Sequence, residues 1–364
     1  MGRAVAVGAV EQHEAQVRVH TESHRNVLRR FSAHRFVLVR GAAGRGKTVL
    51  AVEAAAQFAS LGHRVLLGCW NLVLARWLVG ALQTRLEELG SPAAGQVTTD
   101  PRGQVVVSHV GALTGRRGVP PEGVDAQAWY LEQLPSGLSP RDTGGDFDVV
   151  ALDEVQDLSE LWVLAISQLV AHEGRWYAFA DGQQDLFDAD AALPDFLELQ
   201  HELRDNFRKS RQIAAFAAGF GDVELDCLSG DGPPVRFVAV PGEHVVSRTR
   251  EVARKLQRDE RVADADLTVL WLFHNPFKGA NDEVATAALA GERVESNSAS
   301  FKGMQRPVVV LGLDVDPETA RRQDEVARAI FAATRARSLL VVVGDPDALA
   351  HLGFHDLADQ LRGA

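Results

Sequence analysis

The stretch RFVLVRGAAGRGKTVLAVEAAAQFASLGHRVLL, Arg35 to Leu67, allows few folds. An apolar run, Phe36 to Val39, stops at Gly41, and Gly41, Gly44, Gly46, Lys47 and Thr48 then fit G-x-x-x-x-G-K-[ST]. A helical pattern follows from Val49 to Ala59, and a second apolar strand from Arg64 to Leu67. Strand, glycine loop and helix in that order are the context that makes this motif a P-loop. The glycines let backbone N–H groups, including that of Arg45, wrap phosphate oxygens, and the helix N-terminus adds its positive end. Lys47 reads as a surface-loop cation with no packing role, placed for the β- and γ-phosphates of a nucleotide such as ATP. Thr48 reads as a ligand of Mg²⁺.

A second feature answers the first. In FDVVALDEVQDLSELW, Phe147 to Trp162, an apolar strand runs straight into Asp153 and Glu154. Adjacent carboxylates at the end of a buried strand repel each other unless a positive partner sits there. In P-loop proteins an aspartate at that place holds the magnesium ion. Asp153 fits that role, and Glu154 beside it is placed to orient and deprotonate an attacking water.

Composition sets outer bounds. The 364 residues are enough for two or three domains, with 46% hydrophobic and 24% charged residues, a globular balance. No run of eighteen apolar residues exists, so no membrane span is expected. Cys69 and Cys227 lie far apart without metal-ligand spacing, as expected of reduced thiols in a cytoplasmic protein. The formal net charge of −11 argues against coating nucleic acid by charge alone, while leaving room for a narrow basic groove.

DEVQD at Asp153–Asp157 resembles motif II of superfamily 1 helicases of the UvrD/Rep type, and other segments resemble that family's motifs in order. YAFADGQQDLFD is similar to motif III, with Asp181 and Gln184 in matching places. LRDNFRKSRQIAAF is similar to motif IV, with Asn206, Phe207 and Arg208. SASFKGMQRPVVVLGLD resembles motif V through Lys302 and Gly303, and AIFAATRARSLLVVVG resembles motif VI through Thr334, Arg335 and Ala336. LLGCWNLVLARWL resembles motif Ia in the form found in the helicase modules of nuclease-related (NERD) proteins.

The resemblance implies an α/β chain of two RecA-like P-loop lobes with parallel sheets, 1–204 and 205–364. A reduced first-lobe insertion would occupy about 85–145, with no insertion in the second lobe. Strands around Arg236–Val240, Thr268–Phe273, Val308–Leu313 and Leu339–Val343, alternating with helices such as His244–Gln257, agree with a second parallel layer. By resemblance, Gln184 would sense the γ-phosphate, and Arg208 and Arg335 would bring positive charge to it from the second lobe. Gly303 would lie against the nucleotide, and His24 stands where relatives carry an adenine-reading glutamine. Trp70, Asn71, His109 and Phe187 would contact single-stranded nucleic acid. Trp77 shares a helical face with Leu74 and Leu78 and reads as core. Gln305 replaces the usual motif V glutamate. Two functions stay open: a motor that translocates on or remodels single-stranded nucleic acid, and a switch ATPase that drives a nuclease or other protein partner.

Overall fold

A computed structural model describes residues 10–11, 13, 28–31, 34–41, 45–114, 120, 122–125, 128–140, 143–181, 198–203, 209–218, 231–272, 287, 290–298, 301, 304–314, 333, 335–351 and 354–363. The chain divides into two compact units, Thr21–Arg204, and Met1–His20 together with Asp205–Ala364. Each is α/β and is built on a parallel sheet.

The first unit carries β1 (Phe36–Arg40), β2 (Val65–Cys69), β3 (Val97–Thr98), β4 (Val105–His109), β5 (Phe147–Asp153), β6 (Val170–Ala180) and β7 (Leu199–Glu202). Their order across the sheet is β3-β4-β2-β5-β6-β1-β7, and every neighbouring pair is parallel. Helices α1 (Lys47–Ser60) and α2 (Leu72–Glu88) cover one face. A short helix, α3 (Glu160–Ser167), and the 129–138 segment cover the other.

Burial on both faces explains why these strands read as unbroken apolar runs. Successive side chains alternate between faces: Val37 and Val39 join the layer under α1, while Leu38 between them joins the layer under Trp162. Helix α1 is rich in alanine, a strong helix former small enough to lie close on a sheet. It ends where Gly62 takes a left-handed φ of 87°, with Gly62 N–H donating to Ala59 O and His63 N–H to Phe58 O. Helices α1 and α2 are tied by Arg85, which donates from both Nε and Nη2 to the buried Glu53 carboxylate.

Residues 85–145 are less of an excursion than the sequence suggests. Helix α2 runs into their start, and β3 and β4 within them are sheet strands, β4 pairing directly with β2. The stretch holds its place at the opposite edge of the sheet through Arg64. Its guanidinium donates to the carbonyls of Pro101 and Gly103 on one side and Thr143, Gly145 and Asp146 on the other. It also lies 4.2 Å from the centre of the Phe147 ring. Partial burial lowers the Arg64 pKa, against the pull of Asp146 and Asp148.

The second unit carries β8 (Arg236–Ala239), β9 (Leu267–Trp271), β10 (Val294–Asn297), β11 (Arg306–Leu313) and β12 (Ala336–Gly344), all parallel, in the order β10-β9-β11-β12-β8. One face is covered by α5 (Val245–Glu260), which follows α4 (Arg211–Ala218) in the chain. Helix α5 buries Val245, Thr249, Ala253 and Leu256, a helical stripe laid on Val269, Trp271, Val308, Val310 and Val341. The expected strands are all present, and the helix expected at His244–Gln257 extends to Glu260. Part of the N-terminal segment also belongs here: Val10 packs on this core, and buried His13 Nδ1 shares a 2.9 Å hydrogen bond with Ser338 Oγ of β12. Among the described residues no helix is long and apolar enough to cross a membrane.

Arg64→Met keeps most of the aliphatic stem but removes every donor from five loop carbonyls. Allowing for partial exposure, the loss should destabilise the first unit by about 2–3 kcal/mol. A melting temperature unchanged from wild type would show that those loops do not depend on Arg64.

Candidate nucleotide-binding site

In a parallel sheet the carboxyl ends of the strands share one edge, where open α/β folds form their binding crevices. Here β5, β6 and β1 lie side by side, so Asp153 at the end of β5, Asp181 after β6 and Gly41 after β1 come to the same edge. Helix α1 leaves that edge and packs back over β6, β5 and β2, which puts Lys47 and Thr48 of its first turn above Asp153. Gly46, immediately before the helix, has φ 87°, a left-handed conformation that glycine adopts freely and other residues resist. Gly41 is also constrained: a Cβ there would stand 3.0 Å from Leu203 Cβ.

Lys47 is not the surface cation the sequence suggests. Only 6% of its side chain is exposed. Its Nζ donates to Gly41 O at 2.6 Å and lies 3.7 Å from Asp181 Oδ2. In this arrangement the lysine folds back on its own loop and on the end of β6. Arg45 is buried too, and donates from Nη1 to Leu203 O at 2.6 Å, which anchors the loop's last turn to the strand beyond β1. Its side chain is therefore structural, whatever its backbone N–H contacts.

Asp153 is fully buried, at 0% exposure, and neither carboxylate oxygen has a hydrogen-bond partner of good geometry. Burial, then the charge of Glu154, push its pKa up to about 7, against the opposing pull of Thr48 and Lys47. An orphaned, buried carboxylate facing a threonine hydroxyl suits a hard cation that prefers oxygen ligands. Among the described residues no group of three His, Cys, Asp or Glu side chains forms a protein-only metal cage. Magnesium needs none, because it is commonly held by one or two protein oxygens together with phosphates.

Glu154 has φ 52° and ψ 46°, a left-handed conformation unusual for a residue with a Cβ. Such strain is of order 1–3 kcal/mol and persists where surrounding contacts hold it. The Glu154 carboxylate is in contact with Gln156, whose amide nitrogen donates to Glu154 Oε2 and whose amide oxygen accepts from Asp181 N–H at 2.9 Å. The sequence shows Gln156 only as one letter of DEVQD, and nothing in its spacing signals a bridge from β5 to β6.

At the neighbouring ends of β2 and β4, Trp70 and His109 lie with ring centres 5.5 Å apart, and Trp70 meets Trp162 edge-on at 6.1 Å. Burial lowers the His109 pKa to about 4, so the imidazole is neutral at physiological pH and adds no charge for a phosphate backbone. Asn71 caps α2, its Oδ1 accepting from Leu74 N–H at 2.9 Å. This structural duty is readable from an asparagine standing directly before a helical run. Trp77 packs partly buried against the core beneath α2, as its position beside Leu74 and Leu78 suggests. Cys69, whose thiol pKa burial raises well above its ordinary value, donates to Asn71 O and reads as packing.

In the second unit Arg335 is buried, at 4% exposure, just ahead of β12, and its carbonyl accepts from Arg306 N–H at 3.0 Å. Gln305 is half-buried, and its side-chain oxygen is buried without a hydrogen-bond partner. His24, Gly44, Gln184, Phe187, Arg208, Lys302 and Gly303 lie outside the described residues.

His109 generates a pH prediction. Its folded pKa is depressed to about 4, below the ordinary histidine value of about 6.5. Below pH 6.5 the unfolded chain takes up a proton that the folded chain refuses, so stability is full above that pH and falls as pH drops towards 4. The loss across this window should be about 3 kcal/mol, and His109→Gln should lack it. Identical pH dependence of unfolding in the two chains would remove the assignment. Scanned against models of known protein families and searched against curated proteins, the chain has no match.

Proposed function

We propose that the chain is a superfamily 1 motor ATPase made of two RecA-like lobes, which hydrolyses ATP and translocates on or remodels single-stranded nucleic acid. The observation that carries the ATPase part is the convergence of Lys47, Thr48, Asp153 and Glu154 on one sheet edge, with Asp153 buried and its oxygens orphaned. The motor part rests on the ordered motif resemblance, and on Trp70 and His109 standing beside that edge.

Lys47 would leave Gly41 O for phosphate oxygens, while the loop N–H groups and the start of α1 oriented the rest of the phosphate chain. Thr48 and Asp153 would hold Mg²⁺. When bound, that ion supplies charge stabilisation to the departing phosphate. Glu154 would orient the attacking water and accept its proton. Arg335 and Arg208 would bring positive charge to the γ-phosphate, an interaction stronger in the transition state than in the ground state, and Gln184 would sense the γ-phosphate through its amide. Trp70 offers a ring on which a base can stack, and neutral His109 can stack or hydrogen-bond beside it.

The net charge of −11 and the engagement of Asn71 in capping favour the rival reading, a switch ATPase acting on a protein partner. Steady-state hydrolysis measured with and without single-stranded DNA or RNA separates the two. The motor reading expects several-fold stimulation, with Trp70→Ala needing roughly tenfold more single strand for half its effect. A rate indifferent to every nucleic acid leaves the switch.

Glu154→Gln preserves the shape of the site and should cut turnover by about 10²–10⁴ while ATP still binds. It is a cleaner test than Lys47→Ala, which also removes a cation from beside buried Asp181. Arg335→Ala should lower single-turnover hydrolysis by about 10³ with a far smaller change in nucleotide affinity. The converse pattern would mean that Arg335 only binds substrate.

A further inference from the structure

We infer that Gln156 is a positioning residue, setting the general base Glu154 against the end of β6 and linking it to the P-loop lysine; this rests on the hydrolytic reading above. The geometry leaves one orientation for the amide. A carboxylate can only accept, so the NH₂ end must face Glu154 Oε2; a backbone N–H can only donate, so the carbonyl end must face Asp181 N–H. Both contacts are buried, where a missing partner is expensive.

The side chain joins three elements in one line. Glu154, in its left-handed conformation, opens a single turn in which Asp157 N–H donates to Glu154 O and Leu158 N–H to Val155 O. That turn would relax towards ordinary backbone geometry unless the carboxylate were held. Gln156 holds it from within the turn and fastens it to Asp181, and Asp181 Oδ2 lies 3.7 Å from Lys47 Nζ. The distance between the base and the phosphate-binding lysine is thus set by Gln156 and Asp181 together. When Lys47 moves to a phosphate, Asp181 loses a neighbouring cation, and the strand end that Gln156 grips feels the change. Neither close analogue of glutamine would serve, since glutamate would place a second negative charge against Glu154 and asparagine is one methylene too short to span both partners.

The test uses the full chain with Gln156→Glu and Gln156→Leu. Glutamate keeps the size and the acceptor for Asp181 N–H but removes the donor to Glu154; leucine removes both contacts. Before any nucleotide is added, amide hydrogen exchange at Asp181 should be unchanged in Gln156→Glu and accelerated in Gln156→Leu by roughly tenfold or more. With ATP, both variants should lose about 10²-fold in kcat, the scale of an ångström's misplacement of a catalytic group, with KM within about twofold of wild type. In a Glu154→Gln background, Gln156→Glu should cost almost nothing further, because the two residues act as a unit. An unchanged kcat in Gln156→Glu, a full additional loss in the double variant, or an Asp181 amide indifferent to leucine overturns the inference. If wild type itself hydrolyses no nucleotide while the exchange pattern is as stated, the hydrolytic reading fails, and the positioning role falls with it.

Discussion

Two carboxylates sit side by side at the closed end of a buried strand, and this single electrostatic conflict shapes the first unit. Asp153 is fully desolvated, with Glu154 as the next residue, and burial and repulsion together bring its pKa to the neutral range. A fold does not keep such an arrangement for stability, since burying a carboxylate beside a second carboxylate is costly even with Thr48 and Lys47 nearby. The surroundings are arranged to contain it. Helix α1 aims its positive start and Lys47 at the same edge, and Gln156 fixes Glu154 so that its charge faces a donor.

Everything else in that unit secures the edge. A one-residue slip of these strands would exchange the side chains packed under α1 with those packed under Trp162 and disrupt two close-packed layers at once, so the register that aligns the ends of β5, β6 and β1 is specified by packing. Arg64 locks the opposite edge by gathering five loop carbonyls, and the Arg85–Glu53 pair fixes α1 against α2. Positioning at the site is thus a consequence of packing far from it.

How much of this was legible in the sequence depended on whether the signal was local. The central strands and α5 were legible because a buried strand writes itself as an apolar run and an amphipathic helix as a stripe. Strands β3 and β4 were not, because the glycines and prolines around them resemble an excursion, and their strandedness comes from pairing with β2. At the site, Lys47, Thr48, Asp153 and Glu154 announced themselves by spacing, since strand order and loop chemistry make their meeting obligatory. The burial of Lys47, the hold of Arg45 on Leu203 and the bridge through Gln156 depend on contacts across 6, 158 and 25 residues, and no pattern of letters records them.

The placement of His13 and Val10 has a different kind of consequence. These residues precede the first unit in the chain yet pack with the unit that follows it, through Ser338 and the core beneath α5. The polypeptide therefore passes from one unit to the other twice, near residue 20 and again near residue 204. The second unit is therefore not a simple C-terminal fragment. A piece starting at Asp205 would leave Ser338 without His13 and strip Val10 from its core.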